Sequence, residues 1–251
     1  MIRFFADPKD ISAKSIRLNE EDSKHIRSLR LRPDEQVIVC DGAGYDYICK
    51  LGERSDGTYV EIIDSRRSLG EPDIKCRVFM AYSKGDRLDF AVQKSVELGV
   101  QEIVLFESER CVAVPNNIPK KVARLQRIAL ETAKQSDRGI IPVVSSGGGF
   151  NEITDVALHG SALTMLFYEC EDDLHIRDVL DKYFPYESKQ ANNRTRSISL
   201  ITGPEGGFEQ HEVETARSKG IKIVSLGSRI LRSETAPIAA LTAIMYQTGN
   251  L

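Results

Sequence analysis

The chain has 251 residues, 41% hydrophobic and 28% charged, with a formal net charge of -3 at pH 7. This is an ordinary globular composition, long enough for one large domain or two smaller ones with a core that needs no disulfides or metals. The mild acidity does not by itself point to nucleic acid, the scattered Cys40, Cys49, Cys76, Cys111 and Cys170 form no CxxC pair, and His25, His159, His175 and His211 form no metal-ligand spacing. No apolar run is long enough to span a bilayer, and the opening "MIRFFADPKD" lacks a signal-peptide layout, so a reducing cytoplasm is the expected setting.

Up to about Gly70 the chain reads as short strands and turns. "NEEDSKHIRSL" has the form of a helix start, with Asn19 as N-cap and acids in the first turn. "EQVIVCDGAGYDYICKL" predicts a β-hairpin around the turn-rich "DGAG", and "TYVEIID" predicts a further strand. "RRSLGEPD", Arg66 to Asp73, has linker composition. The expected domains are therefore 1–70, small and mainly β, and 71–251.

From Lys75 the rhythm changes to strand and helix in strict alternation. Strands are expected at "KCRVFMAY", "QEIVLF", "IPVV", "ALTMLFYE", "ISLIT" and "KIVSLG". Helices are expected at "DRLDFAVQKSVELG", "PKKVARLQRIALETAKQS", "NEITDVAL", "LHIRDVLDKYF", "EQHEVETARSKG" and "PIAALTAIMYQTG", with "PYESKQANNRTRS" an exposed loop. Such alternation predicts an α/β fold with a parallel, doubly wound sheet, whose ligands sit at the carboxyl ends of the strands. The last helix is apolar on nearly every side, which suits a core helix or a seam with a second subunit.

Charge is distributed unevenly. "KHIRSLRLR" and "KKVARLQR" carry four cations each and no acid. They read either as solvated helix faces or as contacts to an anionic partner touched on one side.

Two loops carry the chemistry. "ITGPEGGF", Ile201 to Phe208, follows a strand and precedes a helix, the place of a ligand loop, but matches neither phosphate-binding glycine pattern. Glu205 would repel a phosphate; the glycines allow positive φ and close backbone approach to a phosphate-free, even cationic, ligand. The bland alternative is a structural turn. "SLGSRILRSETAP", Ser225 to Pro237, follows the last strand and brings Arg229, Arg232 and Glu234 with hydroxyls ahead of a helix; alone it reads as an N-cap with an ion pair. "ETAKQSDRG" adds Glu131, Gln135 and Arg138, and "MAYSKGDR" adds Lys84, Asp86 and Arg87 at the end of the first strand of the alternating region; both also read as solvated surface.

Together, "GPEGGF" with a trailing acid at Glu209 or Glu212, then "LGSRILRSETA", resembles the RsmE-type ribosomal RNA uridine-N3 methyltransferases of the SPOUT superfamily. The resemblance covers the whole chain, through "RFF", "HIRSLRLR", "DGAGYDY", "KGDRLDFAVQKSVELGV", "SER" and "QSDR". It implies a SPOUT-type parallel sheet with a C-terminal trefoil knot, an exception to the rule against threaded chains, and a PUA-like β-barrel module in front. It further implies a homodimer, S-adenosyl-L-methionine as cofactor, no metal, and small-subunit (16S) ribosomal RNA as partner. Carried over residue by residue, the cofactor loops supply Ile201, Thr202, Gly203 and Gly207, then Leu226, Gly227, Ile230, Leu231, Arg232, Thr235 and Ala236. RNA contacts are expected at Arg3, Lys24, Arg27, Arg30, Arg32, Lys84 and Arg87.

Uridine N3 lies on the Watson–Crick edge, so the base must be unpaired or flipped out. Loss of its proton spreads negative charge onto the uracil oxygens, which an arginine would stabilise, with Arg138 and Arg232 as candidates. Glu205 or Glu131 would take the proton, or solvent would, and Glu205 has the alternative of holding the loop. Other readings are a ribose 2′-O methyltransferase of the same superfamily, a non-catalytic knotted RNA-binding module, and a nucleotide enzyme using "GPEGG" for phosphate. The missing lysine and Glu205 argue against the last.

Overall fold

The computed structural model describes residues 1–32, 35–51, 59–185 and 197–251; most of the expected loop "PYESKQANNRTRS" lies outside the described residues. The chain packs as two units. The first is Met1–Glu71 with Leu130–Ile141, and the second is Pro72–Ala129 with Pro142–Leu251.

The first unit holds β1 (Ile2–Phe5), β2 (Ser15–Arg17), α1 (Glu20–Leu29), β3 (Gln36–Cys40), β4 (Tyr45–Leu51) and β5 (Tyr59–Arg67). Asn19 caps α1, its side-chain oxygen accepting the Asp22 N–H at 2.8 Å. The β3–β4 hairpin turns on Asp41, whose carboxylate accepts the N–H groups of Ala43 and Tyr45 at 2.8 and 3.0 Å. The sheet order is β1-β3-β4-β5-β2. It curls, because both edge strands feed one core: Phe4 from β1 and Ile16 from β2 meet Val37, Val39, Cys49, Val60 and Ile26 of α1.

The segment Leu130–Ile141 joins this unit through charge, which no periodicity in the sequence signals. Lys134 lies 3.0 Å from the buried Asp22. Arg138, 1% exposed, pairs with Glu71 at 2.7 Å, and Glu71 also accepts the N–H groups of Gly139 and Ile140. Arg3 is buried as well: its two terminal nitrogens reach Asp46 at 2.7 and 3.1 Å, and one also meets the Cys40 thiol. This corrects the expectation of Arg3 as an RNA contact, since its guanidinium is enclosed and its donors are engaged.

The second unit alternates as its sequence pattern predicts: β6 (Lys75–Ala81), α2 (Arg87–Glu97), β7 (Glu102–Glu107), α3 (Ile118–Gln135, its end in the first unit), β8 (Val143–Gly149), α4 (Phe150–Leu158), β9 (Leu163–Phe167), α5 (Ile176–Tyr183), β10 (Ser197–Thr202), α6 (Gln210–Ser218), β11 (Lys222–Val224) and α7 (Thr235–Thr248). All six strands are parallel, in the order β11-β9-β10-β6-β7-β8. The central strands are buried on both faces, as parallel strands flanked by helices must be. On one face Phe79, Phe106, Leu166 and Ile201 pack with Phe150, Ile153 and Val213 of α4 and α6. On the other, α7 packs against α2, α5, β6 and β10. The strand "IPVV" runs on through three glycines, because parallel pairing with β7 outweighs their weak strand preference. β10 enters between β9 and β6, so the chain reverses its order there and opens a crevice at the carboxyl ends.

Candidate active site

The loops leaving the carboxyl ends of β9, β10 and β11, with Arg87 at the start of α2, surround a cavity of about 360 Å³. That lies in the usual range for small-molecule sites, roughly 300–1,000 Å³. Phe167, Leu226, Ile230, Leu231 and Ala236 give it apolar walls, and Thr202, Gly203, Pro204 and Gly207 supply backbone from the glycine-rich loop.

That loop is held from both sides. On one side Glu205 Oε1 accepts the Lys84 N–H at 2.8 Å and Arg87 Nη1 at 2.6 Å. Burial pushes the Glu205 carboxyl up, but these donors and its own N–H outweigh it and hold the group below its ordinary value. On the other side Arg110 donates to Glu209 at 2.6 Å and to the Gly206 carbonyl at 3.1 Å. Glu212, 4% exposed, accepts from the Ser108 hydroxyl, the Glu109 N–H and the Glu209 N–H, so a buried carboxylate sits fully bonded at the start of α6. This gives the "SER" stretch its place: it anchors the loop's exit.

Gly207 has φ of 70°, and a Cβ there would lie 2.1 Å from Glu169 Oε1. The positive φ favours glycine here, and a side chain would also displace the carboxylate of Glu169, itself part of the cavity wall. Gly227, with φ of 105°, takes a backbone conformation that favours glycine in the second loop, where it lines the cavity.

Of the residues expected to hold the cofactor, Thr202, Gly203, Gly207, Leu226, Gly227, Ile230, Leu231, Arg232 and Ala236 line the cavity. Ile201 does not; its side chain is fully buried in the core. Thr235 is exposed, its N–H donating to the Arg232 carbonyl. Arg232 and Arg229 both line the cavity, and among the described residues neither has a side-chain partner. Arg138 is not among the lining residues; it is enclosed against Glu71. Glu131 faces Lys134 at 3.7 Å and is likewise not in the wall. Sequence reasoning missed Phe167, Tyr168 and Glu169. The available signal was position, since "FYE" ends a strand now seen beside the crevice.

Among the expected RNA contacts, Lys24, Arg27, Arg30 and Arg32 are exposed on and after α1, with Lys24 beside Glu20 at 2.6 Å. In "KKVARLQR", Lys121 and Arg124 meet Asp89, which neutralises part of that cluster. No group of three or more His, Cys, Asp or Glu among the described residues is placed to hold a metal ion. No helix among them is long and apolar enough to cross a membrane.

The cavity fits S-adenosylmethionine: its apolar walls and glycine backbone suit an adenosyl group, and the Glu169 carboxylate in the wall suits a positive sulfonium.

Comparison with known proteins agrees. An RNA methyltransferase domain family matches residues 70–245, and an RNA methyltransferase PUA domain matches residues 18–63. A ribosomal RNA small subunit methyltransferase E of Bacillus subtilis is 29% identical over 245 residues, covering 95% of this chain and 93% of its own. The Neisseria gonorrhoeae protein of that name, solved bound to S-adenosyl methionine, is 30% identical with a TM-score of 0.82, covering 98% of this chain and 97% of its own. A putative methyltransferase from Legionella pneumophila, solved with the same cofactor, is 25% identical with a TM-score of 0.81, covering 98% of this chain and 97% of its own. The two matched regions, the parallel sheet and the loops at its carboxyl edge agree, and the chain belongs to the RsmE-type family of RNA methyltransferases.

Proposed function

We propose that this protein uses S-adenosyl-L-methionine to methylate N3 of a uridine in small-subunit ribosomal RNA. The observation that carries this is the carboxyl-edge cavity, in which a glycine-rich loop without either phosphate-binding spacing faces two arginines that have no side-chain partner among the described residues.

The cofactor, when bound, supplies an electrophilic methyl group on a positive sulfonium. Backbone from Thr202 to Gly207 and from Leu226 to Leu231, with Phe167 and Ala236, holds it in place. Arg232 donates to the uracil oxygens as N3 loses its proton, with Arg229 as a second cation at the same wall. Glu205 is a poor base, since its carboxylate already accepts from Lys84 and Arg87 and its proton affinity is depressed. Glu169 is the carboxylate of the wall left without a hydrogen-bond partner among the described residues, so it or solvent accepts the proton. The exposed cations of α1 serve RNA phosphates.

The same reading includes a trefoil knot through residues 201–236, supported by the entry of β10 between β9 and β6. It includes a homodimer, supported by the half-buried stripe of Ile238, Ala239, Thr242 and Ala243 on α7 beside the exposed Tyr246, and a cytoplasmic site of action. Calorimetric titration with S-adenosylmethionine and with ATP tests the cavity. Binding of the first alone is expected, and ATP binding without S-adenosylmethionine binding would reverse the assignment.

A further inference from the structure

Three loops leave β6, β10 and β11, and one guanidinium joins them. Arg87 Nη1 lies 2.6 Å from Glu205 Oε1, on the loop after β10, and Arg87 Nε lies 3.8 Å from Glu234 Oε2, on the loop after β11. The Lys84 N–H, from the same turn as Arg87, makes the second bond to Glu205 Oε1 at 2.8 Å. The Glu205 and Glu234 side chains are only 20% and 15% exposed, while Arg87 is 41% exposed.

An ion pair this open contributes little to global stability. Its effect is local. Glu205 sits between Gly203 and Gly207, in a stretch whose glycines impose little backbone preference of their own. Glu234 immediately precedes α7 and ends the second loop. A cation bonded to one loop and facing the other fixes their separation, and hence the width of the cavity they line. Two of the three guanidinium nitrogens of Arg87 are thus directed at carboxylates of its own chain.

We propose that Arg87 is a positioning residue that clasps both cofactor loops through Glu205 and Glu234 and so sets the affinity of the cavity for the methyl donor. The proposal rests on the methyl-donor reading of that cavity.

The test uses the full chain as wild type, Arg87→Ala, Glu205→Gln, the double variant and Arg87→Lys. Each is titrated with S-adenosylmethionine, assayed for steady-state methyl transfer and measured for RNA binding against salt. Each single variant is expected to raise Kd and KM for S-adenosylmethionine about tenfold, with kcat within about threefold of wild type and Tm within about 2 °C. The double variant should be no worse than the worse single, since both remove one clasp. Arg87→Lys keeps the charge without the fork and should fall between wild type and Arg87→Ala. Fully additive losses would overturn the proposal, as would intact S-adenosylmethionine affinity with a shallower RNA salt slope. If wild type itself fails to bind S-adenosylmethionine, the reading of the cavity falls and the clasp with it; if wild type binds and the variants match it, only the clasp falls.

Discussion

The two edges of the six-stranded sheet treat arginine in opposite ways. At the amino edge, Arg77 Nη2 donates to the carbonyls of Val156, Ala157 and His159 and to the Ser161 hydroxyl at 2.7–3.1 Å, closing the end of α4. Nearby, Asp73 and Asn250 exchange two hydrogen bonds at 3.0 and 2.7 Å. At the carboxyl edge, Arg229 and Arg232 have no partner among the described residues, and between them Ile230 is 84% exposed. A fold that places four acceptors around one guanidinium nitrogen at one edge leaves two guanidiniums without a partner among the described residues at the other. The amino edge is built for stability, and the carboxyl edge is left incomplete for a ligand to finish.

Substitutions should separate the two edges. The largest effect is expected from Arg232→Ala, which removes a donor aimed at charge that develops only during reaction. Radiolabelled methyl transfer should fall roughly 10²–10³-fold while the thermal midpoint stays near wild type; unchanged turnover would remove Arg232 from the chemistry. Gly207→Ala should come next. It places a side chain at positive φ and against Glu169, costing about 1–3 kcal/mol in chemical denaturation and abolishing tight S-adenosylmethionine binding. Retained affinity would show that the loop does not need this close approach. Arg77→Ala should do the reverse, losing about 2 kcal/mol of stability with S-adenosylmethionine affinity unaltered; a matching loss of affinity would erase the distinction between the edges.

The smallest effect concerns pH. Glu205 has its proton affinity depressed in the folded protein, so it binds fewer protons folded than unfolded. Its contribution to stability is complete above its ordinary value near 4.5 and is lost as pH falls below that, through the depressed folded value. The stability of wild type should therefore weaken more steeply as pH falls below 4.5 than that of Glu205→Gln. Parallel curves would mean that Lys84 and Arg87 do not hold the carboxylate in solution.

Much of this architecture was legible in the sequence because its signals are local. The alternation after Lys75 gave the parallel sheet, "CDGAG" gave the hairpin turn, and Asn19 gave a cap that the structure contains. The two loops could be located because glycine and proline mark turns regardless of what packs nearby. What escaped is non-local. That Arg3 would be enclosed by Asp46, and Arg138 by Glu71, depends on pairings across 43 and 67 positions, which no spacing rule encodes. The sequence leaves Glu205 open between taking a proton and holding the loop, and its partners lie 121 and 118 positions away. Phe167, Tyr168 and Glu169 ended an unremarkable strand, and only the insertion of β10 beside it made them a wall of the cavity.

The central claim is tested most directly by incubating the purified protein with isotopically labelled S-adenosylmethionine and small-subunit ribosomal RNA, free and assembled, that lacks the modification, then mapping the label by nucleoside mass spectrometry. The account predicts label on N3 of a single uridine, absent when Arg232 is replaced by alanine. Label on a ribose oxygen, or tight cofactor binding with no label in RNA, would contradict it.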